Sequence, residues 1–293
     1  MNSKIPSAVL ALSMAGVIGA ATATTAQATV SGDGGNRIGI VKADDSGHVK
    51  EGGLSSTWVE QSSGIKQVVV SGKRIGVVKG NGDAYVKEGA VDAQWVKEAT
   101  NVKQLALSGN RIGIVKADGS AHVKEGGLSA IWMKEATKVK ELELSGKRIG
   151  IVKGNGDALV KEGALDALWV KQSTNAIDID LAGNRIGVFN GQGTAYVKEG
   201  ALDAQWVKEA TDVIQLELSG NRIGIAKDDG SAHVKEGGLS ARWVKESSDA
   251  IQIALSGKRI GVVKGNGDAY VKEGALDAQW VKEATNVTQL ALS

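Results

Sequence analysis

Hydrophobic and polar residues alternate with a period of two along short segments of this chain, and turn-forming residues separate the segments. This alternation predicts half-buried β-strands. Around Arg111, Gly109-Asn110 marks one turn and Asp118-Gly119 marks a tight hairpin, because glycine and aspartate tolerate positive φ angles. The pattern therefore predicts a four-stranded antiparallel meander. Its strands cover residues 103–108, 111–116, 121–126 and 132–136.

The same pattern recurs every 37 residues. All seven tryptophans follow this step, at Trp58, Trp95, Trp132, Trp169, Trp206, Trp243 and Trp280. The tripeptide Arg-Ile-Gly keeps the same interval, and its arginines are Arg37, Arg74, Arg111, Arg148, Arg185, Arg222 and Arg259. The register is never lost, so the chain consists of seven copies of one unit without insertions.

A four-stranded unit of this size cannot bury both of its faces alone, so each sheet needs a neighbour on either side. We predict an all-β, seven-bladed β-propeller of seven 37-residue, four-stranded blades. A straight β-solenoid is the competing architecture, but it would need capping sequences at its ends.

The two ends of the repeat array complement each other. The residues before Arg37 offer no counterpart of a first strand, whereas residues 287–293 supply a spare one. We therefore predict that the C-terminal strand completes the first blade and closes the ring.

Residues 1–28 lie outside the repeat and read as a secretory signal peptide, with Lys4, an apolar run and small-residue cleavage sites after Ala23 or Ala28. An uncleaved membrane anchor is the alternative. We expect residues 29–293 to form one soluble domain, secreted to the extracellular space or periplasm, monomeric and not inserted in a membrane. The absence of cysteine fits, since a core of this size needs no disulfides.

Charge and local motifs disfavour several functions. With 35 basic and 33 acidic residues, the chain has no strong field for nucleic acid. The Asp- and Asn-containing turns are too short to form calcium sites, and no glycine-rich turn opens a helix. Catalysis ordinarily breaks symmetry, so we expect no enzymatic activity, no catalytic residues, no metal site and no cofactor.

Strand direction places an arginine, a glutamate, an aspartate and a tryptophan at one edge of the ring, which we call the tryptophan rim, and Ser55, Ser129 and Ser240 replace the aspartate in three blades. In the second blade these are Arg74, Glu88, Asp92 and Trp95. The opposite edge, which carries the 80–83 hairpin and its equivalents, is the hairpin rim. An exposed indole stacks on a pyranose, while carboxylates and guanidinium groups bind hydroxyls. The candidate ligand-binding residues are the seven tryptophans together with Arg74, Glu88, Asp92, Arg185, Glu199, Asp203, Arg259, Glu273 and Asp277.

A structural role competes with this assignment: the tryptophans would join adjacent blades, and the arginine–glutamate pairs would be plain ion pairs. A second variable position lies eleven residues after each arginine and holds every histidine and tyrosine of the chain. We expect these side chains to pack between blades, with a ring-stacking or hydroxyl-binding role as the alternative. Their residues are His48, Tyr85, His122, Leu159, Tyr196, His233 and Tyr270.

The order of tryptophan, short strand, Gln-Leu-Ala-Leu-Ser-Gly, Arg-Ile-Gly-Ile-Val-Lys and Asp-Gly-Ser-Ala-His-Val-Lys-Glu-Gly resembles the tectonin repeat over residues 37–293. The resemblance implies a β-propeller that binds carbohydrate. One departure is the Ile-Gly-Ile or Ile-Gly-Val strand, where the family often has an aromatic residue.

Two functions are consistent with this sequence. The first is a multivalent lectin whose repeated sites bind cell-surface glycans of unknown identity with high avidity. The second is a non-enzymatic scaffold for another exported protein. A protein interface is expected to differ between blades and to expose an apolar patch, whereas identical rims suit a repeated small ligand.

Overall fold

The structure is a computed structural model that describes residues 36–293. These residues form strands and turns only, arranged as seven four-stranded antiparallel sheets. The predicted signal peptide and the boundary at residue 29 lie outside the described residues. The described part of the chain contains no helix long and apolar enough to cross a membrane.

Each sheet is one blade, and its strands follow one another outward from the centre of the ring. Blade 1 contains β28 (Val287–Leu292), β1 (Arg37–Lys42), β2 (Gly47–Glu51) and β3 (Val59–Ser62). Blade 2 contains β4 (Ile65–Ser71), β5 (Arg74–Lys79), β6 (Ala84–Glu88) and β7 (Val96–Ala99). Blade 3 contains β8 (Val102–Ser108), β9 (Arg111–Lys116), β10 (Ala121–Glu125) and β11 (Met133–Ala136). Blade 4 contains β12 (Val139–Ser145), β13 (Arg148–Lys153), β14 (Ala158–Glu162) and β15 (Val170–Ser173).

The remaining three blades repeat this order. Blade 5 contains β16 (Ala176–Ala182), β17 (Arg185–Asn190), β18 (Ala195–Glu199) and β19 (Val207–Ala210). Blade 6 contains β20 (Val213–Ser219), β21 (Arg222–Lys227), β22 (Ala232–Glu236) and β23 (Val244–Ser247). Blade 7 contains β24 (Ala250–Ser256), β25 (Arg259–Lys264), β26 (Ala269–Glu273) and β27 (Val281–Ala284).

The predicted closure of the ring is confirmed. The C-terminal strand β28 pairs antiparallel with β1, so that Leu292 lies opposite Ile38 and Leu290 opposite Ile40. The first strands of neighbouring blades contact one another all the way around the ring, including β28 with both β24 and β4. The chain is therefore a closed seven-bladed β-propeller.

The predicted bounds of three strands need correction. The fourth strand of blade 3 begins at Met133, because Trp132 lies before the hydrogen-bonded ladder and packs against the core shared with blade 2. The third strand ends at Glu125, since Gly126 adopts a φ of 117° that a strand does not accommodate. The first strand starts at Val102, one residue earlier than predicted.

The hydrophobic core consists of seven clusters, each shared by two adjacent blades. Between blades 3 and 4, Leu142 and Leu144 of β12 pack with Val115 and Val123 of blade 3. The glycine of each Arg-Ile-Gly tripeptide makes this approach possible: a Cβ atom built at Gly113 would lie 2.6 Å from Leu142 Cδ2. A larger side chain at this glycine would therefore clash with the adjacent blade.

A second set of contacts links the first strands around the axis. The Gln104 side chain donates from Nε2 to the Leu142 carbonyl (3.1 Å) and accepts at Oε1 from the Leu142 amide (2.9 Å). Gln289 makes the equivalent two bonds to Val68 across the seam between the chain ends. These bonds satisfy inward-facing polar groups that would otherwise be buried unpaired.

Candidate functional site

The repeated phrase Lys-Glu-Gly followed by tryptophan forms a joint between neighbouring blades. The Arg111 guanidinium donates from Nε to Glu125 of its own blade (3.0 Å) and from Nη2 to the Gly163 carbonyl of the next blade. All seven arginines make the carbonyl contact, and Arg259 makes it to Gly52 across the seam. The arginine and glycine of the repeat thus tie the blades into a ring.

The lysine of the phrase belongs to the same joint. The Lys124 ammonium lies 5.0 Å from the centre of the Trp132 ring and donates to the Leu128 carbonyl. It also pairs with Glu98 on the outer strand of blade 2, and both side chains are buried. The lysine–tryptophan contact occurs in every blade at 4.5 to 5.0 Å. It is a cation–π interaction that uses one face of each indole.

The structure brings together part of the predicted sugar site. Each predicted arginine pairs with the glutamate of its blade at 3.1 Å, in Arg74–Glu88, Arg185–Glu199 and Arg259–Glu273. The arginines are buried, whereas the paired glutamates remain exposed. The aspartates Asp92, Asp203 and Asp277 are also exposed. A ligand at this rim would therefore meet the carboxylates before the guanidinium groups.

The seven predicted tryptophans are half-buried, and each packs against the core that its blade shares with the preceding one. These contacts match the structural role that competes with ligand stacking. A lysine covers one face of each indole, and ligand binding by the tryptophans stays a prediction.

Grooves between adjacent blades are large enough for a small ligand, and the sequence alone did not predict them. The groove between blades 2 and 3 has a volume of about 530 Å³ and is lined by Glu98, Thr100, Lys116, His122 and Trp132 among others. The equivalent groove between blades 3 and 4 measures about 420 Å³, with Leu159 in the histidine position and Trp169 as the indole. The variable position eleven residues after each arginine was the only sequence signal for this groove.

The tyrosines at that variable position pack between blades, as expected, and His122 lines the groove between blades 2 and 3. Tyr85, Tyr196 and Tyr270 are partly buried against the inter-blade cores. The His122 Nε2 atom lies 3.1 Å from Ser120 Oγ, and burial lowers the pKa of the imidazole, with smaller effects from Lys116 and Lys134. At neutral pH this histidine is therefore an uncharged part of the groove wall.

Five carboxyl groups, four of them buried and Glu141 partly buried, lie on three successive first strands around the axis of the ring. Their positions in the other blades hold glutamine, alanine or valine. Burial raises the pKa of each group, and neighbouring carboxylates raise most of them further; the pKa of Asp178 rises to about 6. The five groups are Glu141, Glu143, Asp178, Asp180 and Glu217.

These carboxyl groups are unequally satisfied. Both oxygens of Glu143 lack a hydrogen-bond partner, whereas Asp180 accepts from the Leu181 amide (2.6 Å) and the Leu218 amide. Within residues 36–293, no group of three or more histidine and acidic side chains is arranged to hold a metal ion. Because their pKa values are raised, these carboxyl groups bind protons at higher pH than exposed carboxyl groups do, and the charge of the cluster depends on pH.

The second position of each first strand forms a ring of seven side chains at the hairpin rim, which we call the axial ring. Its members are Lys66, Lys103, Lys140, Ile177, Ile214, Ile251 and Thr288. The three isoleucines are 51%, 48% and 56% exposed and occupy consecutive blades 5, 6 and 7, while the lysines occupy blades 2, 3 and 4. The axial ring is therefore divided into a basic half and an apolar half.

The architecture defines the chain as a seven-bladed β-propeller, and solved structures share this fold. PorZ of Porphyromonas gingivalis, an essential bacterial surface component of the type-IX secretion system, is 12% identical with a TM-score of 0.65; the match covers 90% of this chain and 39% of PorZ. Prp20p of Saccharomyces cerevisiae, studied with its binding to Gsp1p and histones, is 10% identical with a TM-score of 0.62, over 89% and 87% of the two chains. Hsv2 of Kluyveromyces lactis is 16% identical with a TM-score of 0.56, over 86% and 94%.

At these identities the likeness concerns the fold alone. No protein-family model matches the sequence, and the search of curated proteins finds no match either. The resemblance to the tectonin repeat thus rests on the sequence motif, while the propeller architecture rests on the structure.

Proposed function

We propose that this protein is a non-enzymatic scaffold that binds another polypeptide across the hairpin rim. The division of the axial ring carries the proposal. The blades are otherwise nearly identical, yet Ile177, Ile214 and Ile251 expose apolar surface where blades 2 to 4 carry lysine. A contiguous exposed apolar patch beside a charged one is typical of a protein interface.

The chemistry of the two halves indicates the kind of partner. Desolvating three neighbouring isoleucines favours a partner with its own apolar side chains. The lysine half favours acidic side chains at one edge of that partner, because complementary charges orient a complex. The lysines are not equivalent in this respect, since Lys66 already pairs with Asp45 at 2.7 Å, whereas Lys103 and Lys140 make no ion pair within residues 36–293.

Two further observations support a binding role. The related fold of Prp20p occurs in a protein that binds Gsp1p and histones, and another structure shows yeast RCC1 (Prp20) bound to Kap60. The proposed absence of catalysis rests on the repetition of the same arginine–glutamate pair at the tryptophan rim of all seven blades. We further propose that the chain acts outside the cytoplasm, as residues 1–28 suggest.

The test is affinity capture from exported and cell-surface proteins of the source cells. The wild-type chain is compared with the triple variant Ile177→Lys, Ile214→Lys, Ile251→Lys, which the fold accommodates because lysine occupies the same position in three blades. We expect the variant to lose a partner that the wild type retains in excess free sugar. The control variant Ile131→Gln, Leu168→Gln changes exposed apolar residues before the tryptophans and should retain the partner. Equal capture of that partner by the triple variant would refute the proposal.

Carbohydrate binding is the second candidate, and the inter-blade groove favours it. A groove of about 530 Å³ that combines Trp132, His122, Lys116 and Thr100 offers an indole edge and several hydrogen-bonding groups to a small ligand. Repetition around a rigid ring would raise the avidity of weak sites. Glycan-array binding and red-cell agglutination by the folded protein test this candidate. No signal in either assay would remove it.

A further inference from the structure

The inter-blade joints are of two kinds. In five of them the buried lysine pairs with a buried glutamate on the outer strand of the preceding blade: Lys50–Glu283, Lys124–Glu98, Lys161–Glu135, Lys235–Glu209 and Lys272–Glu246. In the other two, glutamine replaces that glutamate, so Lys87 is opposite Gln61 and Lys198 is opposite Gln172. We call these two the glutamine joints.

The lysine in a glutamine joint lacks a counter-ion. Among residues 36–293, the Lys87 ammonium donates to the Val91 carbonyl and lies 4.5 Å from the Trp95 ring, with no carboxylate within ion-pair distance. Lys198 repeats this arrangement with Leu202 and Trp206. Each ammonium therefore keeps N–H groups available to an anion.

The glutamines do not compensate for the missing acid. Gln61 turns back on its own strand and donates from Nε2 to the Val59 carbonyl (3.1 Å), which leaves its buried Oε1 atom without a partner. Gln172 does the same with Val170 (3.2 Å), and its Oε1 atom is also unpartnered. The glutamate joints also leave one buried carboxylate oxygen unpartnered, so the glutamine joints differ from them in the missing negative charge and not in this acceptor.

The electrostatics agree with this geometry. Burial lowers the pKa of Lys87, and the positive charge of Arg37 lowers it further, against a smaller opposite effect of Asp92. Lys198 shows the same direction, with Arg148 and Asp203 in the corresponding roles. A bound anion would offset the cost of burying each ammonium ion.

The groove of a glutamate joint indicates where such an anion would lie. In the joint between blades 2 and 3, Glu98 and Trp132 both line the groove, so the carboxylate position is part of its wall. In the glutamine joints the residue equivalent to His122 is a tyrosine, Tyr85 or Tyr196, and the indoles are Trp95 and Trp206. These aromatic walls suit a ligand that combines a carboxylate with a saturated ring.

We propose that the two glutamine joints bind the carboxylate of an acidic sugar, which takes the place that glutamate occupies in the other five joints. The Lys87 or Lys198 ammonium binds the carboxylate, and the pyranose lies along the tryptophan and tyrosine. This site is independent of the polypeptide interface at the hairpin rim. Its failure would therefore leave the scaffold proposal intact.

The test uses D-glucuronate as the probe and D-glucose as its neutral counterpart, with calorimetry and tryptophan fluorescence on the full chain. We expect about two glucuronate molecules per wild-type chain and at least about tenfold weaker binding of glucose. The variant Gln61→Glu, Gln172→Glu supplies the missing carboxylates internally. It should lose glucuronate binding by at least about tenfold while remaining at least as stable as the wild type.

A gain-of-site variant provides the matched control. Glu246→Gln converts the Lys272–Glu246 joint, which has Tyr270 and Trp280 in the corresponding positions, into a glutamine joint, so it should raise the stoichiometry from two to three. Thermal unfolding verifies that each variant is folded. Three results would overturn the proposal: no glucuronate binding by folded wild type, equal affinity for glucuronate and glucose, or undiminished binding by the double glutamate variant.

Discussion

The Arg259 guanidinium in the seventh blade donates to the carbonyl oxygen of Gly52 in the first blade. The equivalent contact inside the chain joins Arg111 to Gly163. The two contacts have the same geometry although one spans the seam between the chain ends. Ring closure therefore makes the seam chemically equivalent to an interior joint.

This equivalence predicts equal effects of matched substitutions. Arg259→Met and Arg111→Met each remove a buried guanidinium, with its bonds to a glutamate and a carbonyl of the next blade, and each should lower the free energy of unfolding by about 1–3 kcal/mol. Urea denaturation measures both values. A much smaller effect of Arg259→Met than of Arg111→Met would contradict a sealed ring.

Deletion of residues 289–293 removes most of β28. It uncovers the edge of β1 and removes the buried side chains of Leu290 and Leu292, together with the Gln289 bonds to Val68. We expect a loss of at least about 4 kcal/mol in unfolding free energy. Leu290→Ala alone should cost about 2–5 kcal/mol and serves as the reference. An unchanged melting temperature after the deletion would argue against closure by this strand.

The glycine of Arg-Ile-Gly is expected to be intolerant of even a methyl group. In Gly113→Ala the new Cβ atom would meet Leu142 Cδ2 at 2.6 Å, so the Leu142 side chain must shift within a packed core, at a cost of about 1–3 kcal/mol. Gly127→Ala is the control, because a Cβ atom there meets nothing within 4 Å. Its effect on thermal unfolding should stay below about 0.5 kcal/mol. Equal stability of the two variants would show that the blades do not pack this closely.

The axial carboxyl groups predict an unusual dependence of stability on pH. With its pKa raised from 3.8 to about 6, Asp178 keeps its proton in the folded protein over a range where the unfolded chain has lost it. Its contribution to stability therefore falls as pH rises from about 4 to about 6. The loss is on the order of 2–3 kcal/mol, by the shift in pKa.

Asp178→Gln tests this directly, since glutamine occupies the same position in five blades. Relative to the wild type, the variant should gain little stability at pH 4 and about 2–3 kcal/mol above pH 6, measured by urea denaturation across this range. The exposed substitution Asp203→Gln is the control and should show no such gain. A pH-independent difference between Asp178→Gln and the wild type would contradict the raised pKa.

Much of the architecture was predictable because each blade encodes its own strands locally. Period-two alternation, Asp-Gly and Asn-Gly turns and the 37-residue step identified four strands per blade and seven blades. The incomplete first unit indicated closure by the C-terminal strand. The predicted start of the fourth strand is wrong by one residue. Trp132 packs against the core shared with the neighbouring blade, and this tertiary contact, which local strand propensity does not encode, decides where the hydrogen-bonded ladder begins.

The candidate site was less predictable, because burial and partnership depend on contacts between residues far apart in sequence. Arg74, Glu88 and Trp95 meet near one rim as the strand directions implied. Sequence spacing, however, could not show that the guanidinium donates to the following blade or that Lys87 covers an indole face. The groove wall is formed by two blades, so no local motif marks it.

By itself the sequence determined the repeat, the strands and the chemical differences between copies, since these reside in residue identity and local backbone preference. Only the tertiary structure decided which side chains of one blade meet the next: the arginine and glycine carbonyl, the lysine and glutamate, and the five axial carboxyl groups. Closing the ring brings residues from separate copies to within bonding distance and excludes water from between them. Gln61 and Gln172 stand where Glu98 stands in blade 2. Because water is excluded from these joints, the two glutamines leave the buried ammonium groups of Lys87 and Lys198 without a counter-ion.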